Sequence, residues 1–95
     1  ITENLPRILP ARCAAVIDTK SWQVPPVFEL LRSIGNVPED DYRRTFNLGI
    51  GMIVAVSRRH LEWAVALLAE VKQKAIVIGE VTGGDGERAK VVRYQ

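Results

Sequence analysis

The chain has 95 residues, enough for one small domain, and at 47% apolar and 25% charged it has the balance of an ordinary globular protein. Its 13 basic and 11 acidic residues nearly cancel to a net charge of +2, and the arginines fall in scattered pairs, Arg43 with Arg44 and Arg58 with Arg59. That pattern argues against nucleic acid, as does the lack of aromatic residues interleaved with basic ones. A single cysteine, Cys13 in the apolar run "CAAVI", excludes an internal disulfide and a thiolate metal cluster and reads as a buried, inert thiol.

In chain order, "TENLPRIL" reads as a short helical segment. Thr2 is its cap, Leu5, Ile8 and Leu9 share a face, and Pro10 is its stop. Residues 11–18 read as a buried strand and residues 19–26 as a loop. Pro25 and Pro26 then open a helix in which Val27, Leu30, Leu31 and Ile34 keep helical spacing, closed by Gly35 and a left-handed Asn36. Pro38 starts a second helix. Glu39, Asp40 and Asp41 lie in its first turn, and Arg43 and Arg44 in its last, the order the helix dipole favours.

The apolar run from Gly49 to Val56 reads as the central strand. Ser57 is placed to cap a helix over 58–74, with Leu61, Ala64, Val65, Leu68 and Val71 on its apolar face and Trp63 and Leu67 widening it. "AIVIGEVT" and "AKVVRY" read as two strands joined through the hairpin turn "GGDGER". The order β-α-α-β-α-β-β implies an α+β fold. Its mixed or antiparallel sheet has about four strands with helices packed against it, ferredoxin-like in part. No span long enough for a membrane helix and no signal peptide is read. The chain opens on Ile1 and reads as a piece of a longer protein.

The chemistry-bearing candidates are two strings. In "TFNLGIGM", Gly49 and Gly51 alternate, which on a strand leaves one face without Cβ atoms. Either a helix or bulge fills that space, or a ligand approaches the backbone, most simply an anion held by N–H groups. Asn47 offers a directed polar contact and Thr45 a hydroxyl. In "TENLPR", Asn4 and Arg7 share a face beside Glu3 at a helix start, which serves equally for capping and for holding a phosphate. "TGGDGE" lacks the Lys-Ser/Thr of a phosphate-binding loop. His60 reads as a solvated histidine, and Trp22 and Trp63 as packing residues. No triad, carboxylate pair or metal-ligand spacing stands out.

Together "ENLPRILP", "VIDTKSWQVPPVFELLRSIGNVPEDDYRRTFNLGIGMIVAV" and "AIVIGEV" resemble, collinearly over nearly the whole chain, the C-terminal part of the phosphoribosylformylglycinamidine cyclo-ligase (AIR synthetase) family. The resemblance implies a single domain over 1–95 that is most of the second domain of a two-domain enzyme. It also implies an ATP- and Mg²⁺-dependent ring closure of formylglycinamidine ribonucleotide in purine biosynthesis, in the cytoplasm. By the same resemblance, ATP and Mg²⁺ sit mostly on the N-terminal domain. The partners implied are the ribonucleotide, ATP, that missing domain and a second subunit of a homodimer, with neither nucleic acid nor membrane. The family's "HITGGG" stretch before "ENLPR" is represented only by Ile1 and Thr2, so the fragment is expected to be inactive alone. Carried over position by position, the binding residues are Glu3, Asn4, Arg7, Arg44, Thr45, Asn47, Gly49 and Gly51, with no proton-transferring catalyst and no metal ligand among them. The alternative is a non-enzymatic α+β small-molecule-binding or regulatory module.

Overall fold

The computed structural model describes residues 1–83 and 91–95. Its organising element is β1 (Cys13–Ile17), three small residues followed by two branched ones, which pairs on both edges. On one side β2 (Gly79–Gly83) runs antiparallel, with Cys13 opposite Gly83 and Ile17 opposite Gly79. On the other, β3 (Val91–Tyr94) runs parallel, with Ala14 opposite Val91 and Ile17 opposite Tyr94. Beyond the ladder proper, the Gln95 N–H donates to the Ile17 carbonyl at 2.8 Å and the Asp18 N–H to the Ile78 carbonyl at 2.8 Å.

The fold is thus α+β with a mixed sheet of three strands where the sequence suggested about four. The two C-terminal strands are not a paired hairpin, because β1 lies between them. The turn expected within residues 84–88 lies outside the described residues.

The 3₁₀ turn Leu5–Ile8 carries Leu5 and, just beyond it, Leu9 onto the sheet. There they join Ala15 and Ile17 in the buried cluster, with Ile1, Trp22, Ile53, Ile78, Val92 and Tyr94 packed around it. Pro6 fits this short element, since a proline in a first turn sacrifices no hydrogen bond, and Pro10 follows the C-cap Leu9, where it cannot continue the helix.

Helix α1 (Pro26–Gly35) ends as the sequence suggested, with Asn36 in the left-handed region at φ 48° and its N–H bonded to the last carbonyls. Helix α2 (Glu39–Thr45) follows, and Glu39 and Arg43 form an i, i+4 ion pair at 2.8 Å. The two helices clasp each other through aromatic rings: Phe28 meets Phe46 at 5.7 Å and Tyr42 meets Phe46 at 5.9 Å. Tyr42 donates to Glu29 at 3.3 Å, and the Arg32 guanidinium lies 4.9 Å over the Tyr42 ring.

Three expectations change in the next stretch. Gly49 lies in a turn and residues 50–56 have no ladder among the described residues, so they are not the central strand. The helix expected over 58–74 is a 3₁₀ turn, Arg58–His60, followed by α3 (Leu61–Glu70). Ser57 does not cap it; its hydroxyl pairs with His60 Nδ1 at 2.7 Å instead. The apolar stripes of α1 and α3 are also not covered by the sheet. Leu30 and Ile34 on α1, Trp63 on α3 and Val71 just past its end are exposed. The sheet packs against the Leu5–Ile8 turn and α3 against the Arg58–His60 turn, so neither helix lays its stripe on the sheet. Cys13 is a free thiol, half-buried at the start of β1. No helix among the described residues is long and apolar enough to cross a membrane.

Candidate functional site

The string "TFNLGIGM" takes its shape from the end of α2. Phe46 breaks the helix, its N–H still bonded to the Tyr42 carbonyl at 3.1 Å while its backbone turns extended. Its ring, held between Phe28 and Tyr42, fixes where the following residues begin. Next comes a tight turn over Asn47–Ile50, closed by the Ile50 N–H on the Asn47 carbonyl at 3.0 Å. Leu48 at φ 56° and Gly49 at φ 97° give it the dihedral signature of a type I′ turn.

A leucine in the left-handed region is unfavourable by roughly 1–3 kcal/mol and needs surroundings that hold it there. Two contacts do so. Leu48 is buried, and its carbonyl accepts the Trp22 indole N–H at 2.9 Å. The Asn47 side-chain oxygen accepts the Gly49 N–H at 2.8 Å, an Asx turn that commits this atom to the backbone, while Asn47 itself is exposed.

The two glycines therefore serve different purposes. Gly49 needs its positive φ, and a Cβ there would lie 2.7 Å from Pro25 Cδ, so a packed proline ring occupies the space its missing side chain leaves. Gly51 has no atom within 4 Å of where a Cβ would stand. The two do not share one strand face, because residue 49 is in a turn. Only Gly51 presents open backbone to an approaching group.

Beside this turn lies an open hollow of about 230 Å³, with Trp22, Leu48 and Tyr42 as its apolar floor and Glu29, Arg32, Glu39 and Arg43 on its walls. A shallower recess of about 400 Å³ continues past Arg43 to Tyr94 and Gln95, with the Arg43 guanidinium 4.2 Å over the Tyr94 ring. The carboxyl of Glu39 is held below the usual carboxylate range, first by its hydrogen bond from Arg43 and then by that charge. The Tyr42 phenol is pushed above its ordinary value by burial and then by the neighbouring Glu29 charge. Neither shift moves its group toward neutral pH.

The N-terminal string arrives from the opposite end of the chain. The Asn4 carbonyl accepts the Arg7 N–H at 3.2 Å in the 3₁₀ turn, while the Asn4 side chain makes no capping bond. Glu3, Asn4 and Arg7 are exposed, as are Arg44, Thr45, Asn47, Gly49 and Gly51. What links the two strings is the core beneath them: Leu5 from the first and Ile53, just past the second, pack into the same cluster along with Trp22. Among the described residues no hydrogen bond joins the side chains of Glu3, Asn4 or Arg7 to those of Arg44, Thr45 or Asn47. Among them, too, no three His, Cys, Asp or Glu side chains converge as a metal site would require.

Sequence reasoning missed Trp22, Tyr42, Arg43 and Leu48 as lining residues. The pairing of Trp22 with Leu48 spans 26 positions and leaves no local signal. An Asn followed two residues later by Gly, by contrast, is a turn signature readable in advance.

Residues 1–92 match the family described as AIR synthase related protein, C-terminal domain. Three curated relatives carry the name phosphoribosylformylglycinamidine cyclo-ligase. The relative from Geotalea daltonii is 44% identical over 85 residues, which are 90% of this chain and 24% of that protein. The relative from Alkaliphilus oremlandii is 46% identical over 82 residues, 86% of this chain and 24% of that protein. The relative from Syntrophus aciditrophicus is 39% identical over 89 residues, 94% of this chain and 26% of that protein. The chain spans about a quarter of the length of the curated relatives it matches.

Proposed function

The chain belongs to the AIR synthase related family, as its C-terminal domain, and from that premise we propose that it is the substrate-side portion of a phosphoribosylformylglycinamidine cyclo-ligase. The whole enzyme closes the imidazole ring of formylglycinamidine ribonucleotide, with ATP consumed to ADP and phosphate, as a step of purine biosynthesis. The observation that carries this reading is identity of 39–46% to three proteins of that name over 86–94% of the chain.

ATP supplies the activation of the formyl amide oxygen by phosphorylation, with Mg²⁺ offsetting phosphate charge. As the family resemblance implies, the ion is assigned mostly to the remaining polypeptide. This chain's own contribution is binding and orientation. Arg7 and Arg44 are exposed cations suited to phosphate. The amide of the exposed Asn47 donates to a substrate acceptor, and the bare backbone at Gly51 admits close approach. Glu3, Asn4 and Thr45 are exposed polar groups free to add further contacts to the substrate. Gly49 acts indirectly, by permitting the turn that aims Asn47. With binding shared between this chain and the rest of the enzyme, the chain alone is inactive.

The test replaces the matching quarter of the Geotalea daltonii cyclo-ligase with residues 1–95 and assays ring closure with MgATP. Retained ring closure supports the reading. Asn47→Ala and Gly51→Val in the graft are expected to raise KM for the ribonucleotide about tenfold, the scale of one lost hydrogen bond to a charged group. A folded graft that neither binds the ribonucleotide nor closes the ring refutes the reading and favours a non-enzymatic binding module.

A further inference from the structure

The run Gly51–Val56 carries the composition of a strand buried on both faces, with Met52, Val54 and Val56 on alternate positions and Ile53 and Ala55 between them. Yet Met52 is 84% exposed and Val54 60% exposed. Among the described residues, none of the backbone N–H or C=O groups of 51–56 has a hydrogen-bond partner in the chain. Only Ile53 turns inward, onto the cluster around Leu5 and Ile17. A run of this composition, anchored by one side chain and unpaired on its backbone, is a ready template for strand addition.

Surface area gives the scale of what is uncovered. The chain exposes 7418 Å². A compact monomer of 10.6 kDa exposes only about 5,500 Å², so the excess is about 1,900 Å² over the whole chain. A standard protein–protein contact buries roughly 800 Å² on each partner, so the excess is of the size found in permanent, obligate interfaces. Ile34 on α1 and Trp63 on α3, both exposed, belong to the same surplus.

We propose that 51–56 is a strand-acceptor edge whose occupant is the polypeptide making up the other three quarters of the cyclo-ligase. One strand of that polypeptide pairs with the run's backbone, and an apolar layer covers Met52, Val54 and Val56. The inference rests on the reading of this chain as part of that enzyme. The choice of occupant follows from two facts: the relatives are about fourfold longer than the matched segment, and the uncovered area suits a permanent partner rather than a transient one.

The experiment measures amide hydrogen exchange of residues 51–56 in the Geotalea daltonii graft and in the 95-residue chain, together with sedimentation of the chain. The expected result is slowing of these amides by at least about a hundredfold in the graft, with rapid exchange in a monomeric chain. Val54→Pro, which removes one ladder donor, is expected to abolish that slowing and lower the graft's Tm while leaving the exchange of β1 in the chain alone unchanged. Met52→Ala, which keeps every backbone donor, is expected to leave the slowing in place.

Rapid exchange in a folded graft overturns the proposal. Protection in the monomeric chain overturns it as well, by showing pairing within the chain. So does protection that rises with concentration alongside a dimer, by making a second copy the occupant. Ring closure is scored separately. A graft protected at 51–56 but without ring closure sinks the cyclo-ligase reading alone. An active graft with fast exchange at 51–56 sinks this proposal alone.

Discussion

"CAAVI" at 13–17 and "MIVAV" at 52–56 are two five-residue runs of nearly the same composition, and they have opposite fates. The first is the middle strand of the sheet, with Ala14 fully buried and Ile17 3% exposed. The second has no ladder among the described residues, and its side chains largely face outward. Local preference for extended backbone cannot tell them apart, since both are apolar runs containing β-branched residues. What separates them is supply of partners: β1 receives β2 on one edge and β3 on the other, while 52–56 receives one inward contact through Ile53. A strand is a property of its neighbours as much as of its own residues.

Substitutions sharpen this contrast. The largest effect is expected at Ile17→Ala, which empties a site in the buried cluster and is expected to destabilise the chain by about 3 kcal/mol, measured by urea unfolding. Next is Gly49→Ala. It forces a Cβ to 2.7 Å from Pro25 at positive φ and is expected to cost about 2 kcal/mol, whereas Gly51→Ala is expected to shift stability by less than about 0.5 kcal/mol. Equal effects at the two glycines would erase the distinction drawn between turn and open backbone. Val54→Ser is expected to change the stability of the isolated chain by under about 0.5 kcal/mol, since nothing buried is lost.

The smallest effect is acid loosening of α2. The Glu39 carboxyl is held below its ordinary value by Arg43, so its contribution is present above the unfolded carboxylate range and fades as pH falls through the lowered folded value. Because the pair is at the surface, added salt is expected to shrink the effect. Circular dichroism of the chain against pH, with Glu39→Gln as the control, reads it out.

Elements whose signals are local were legible in the sequence. The left-handed Asn36, the charge order of α2, the short proline-bracketed turn and the first strand all follow from residues within a few positions of each other. The run 49–56 was not legible, because its apolar pattern specifies burial without specifying by what. Trp63 failed for the same reason: its spacing on α3 asks for a covering layer, and it stands 64% exposed. The strand order β2-β1-β3 was hidden because adjacency in sequence suggested a hairpin, while pairing with β1 separates the two C-terminal strands. At the candidate site, the residues named from the two motif strings are exposed, and none of them lines the hollow. The hollow depends on Trp22 reaching Leu48, a long-range contact that no short motif encodes.

Native-state hydrogen exchange on the 95-residue chain tests the difference between the two runs most directly. The account predicts that amides of 13–17 exchange only with global unfolding, while those of 52–56 exchange near the rate of an unstructured peptide. Equal protection of the two runs in a monomeric chain would contradict it.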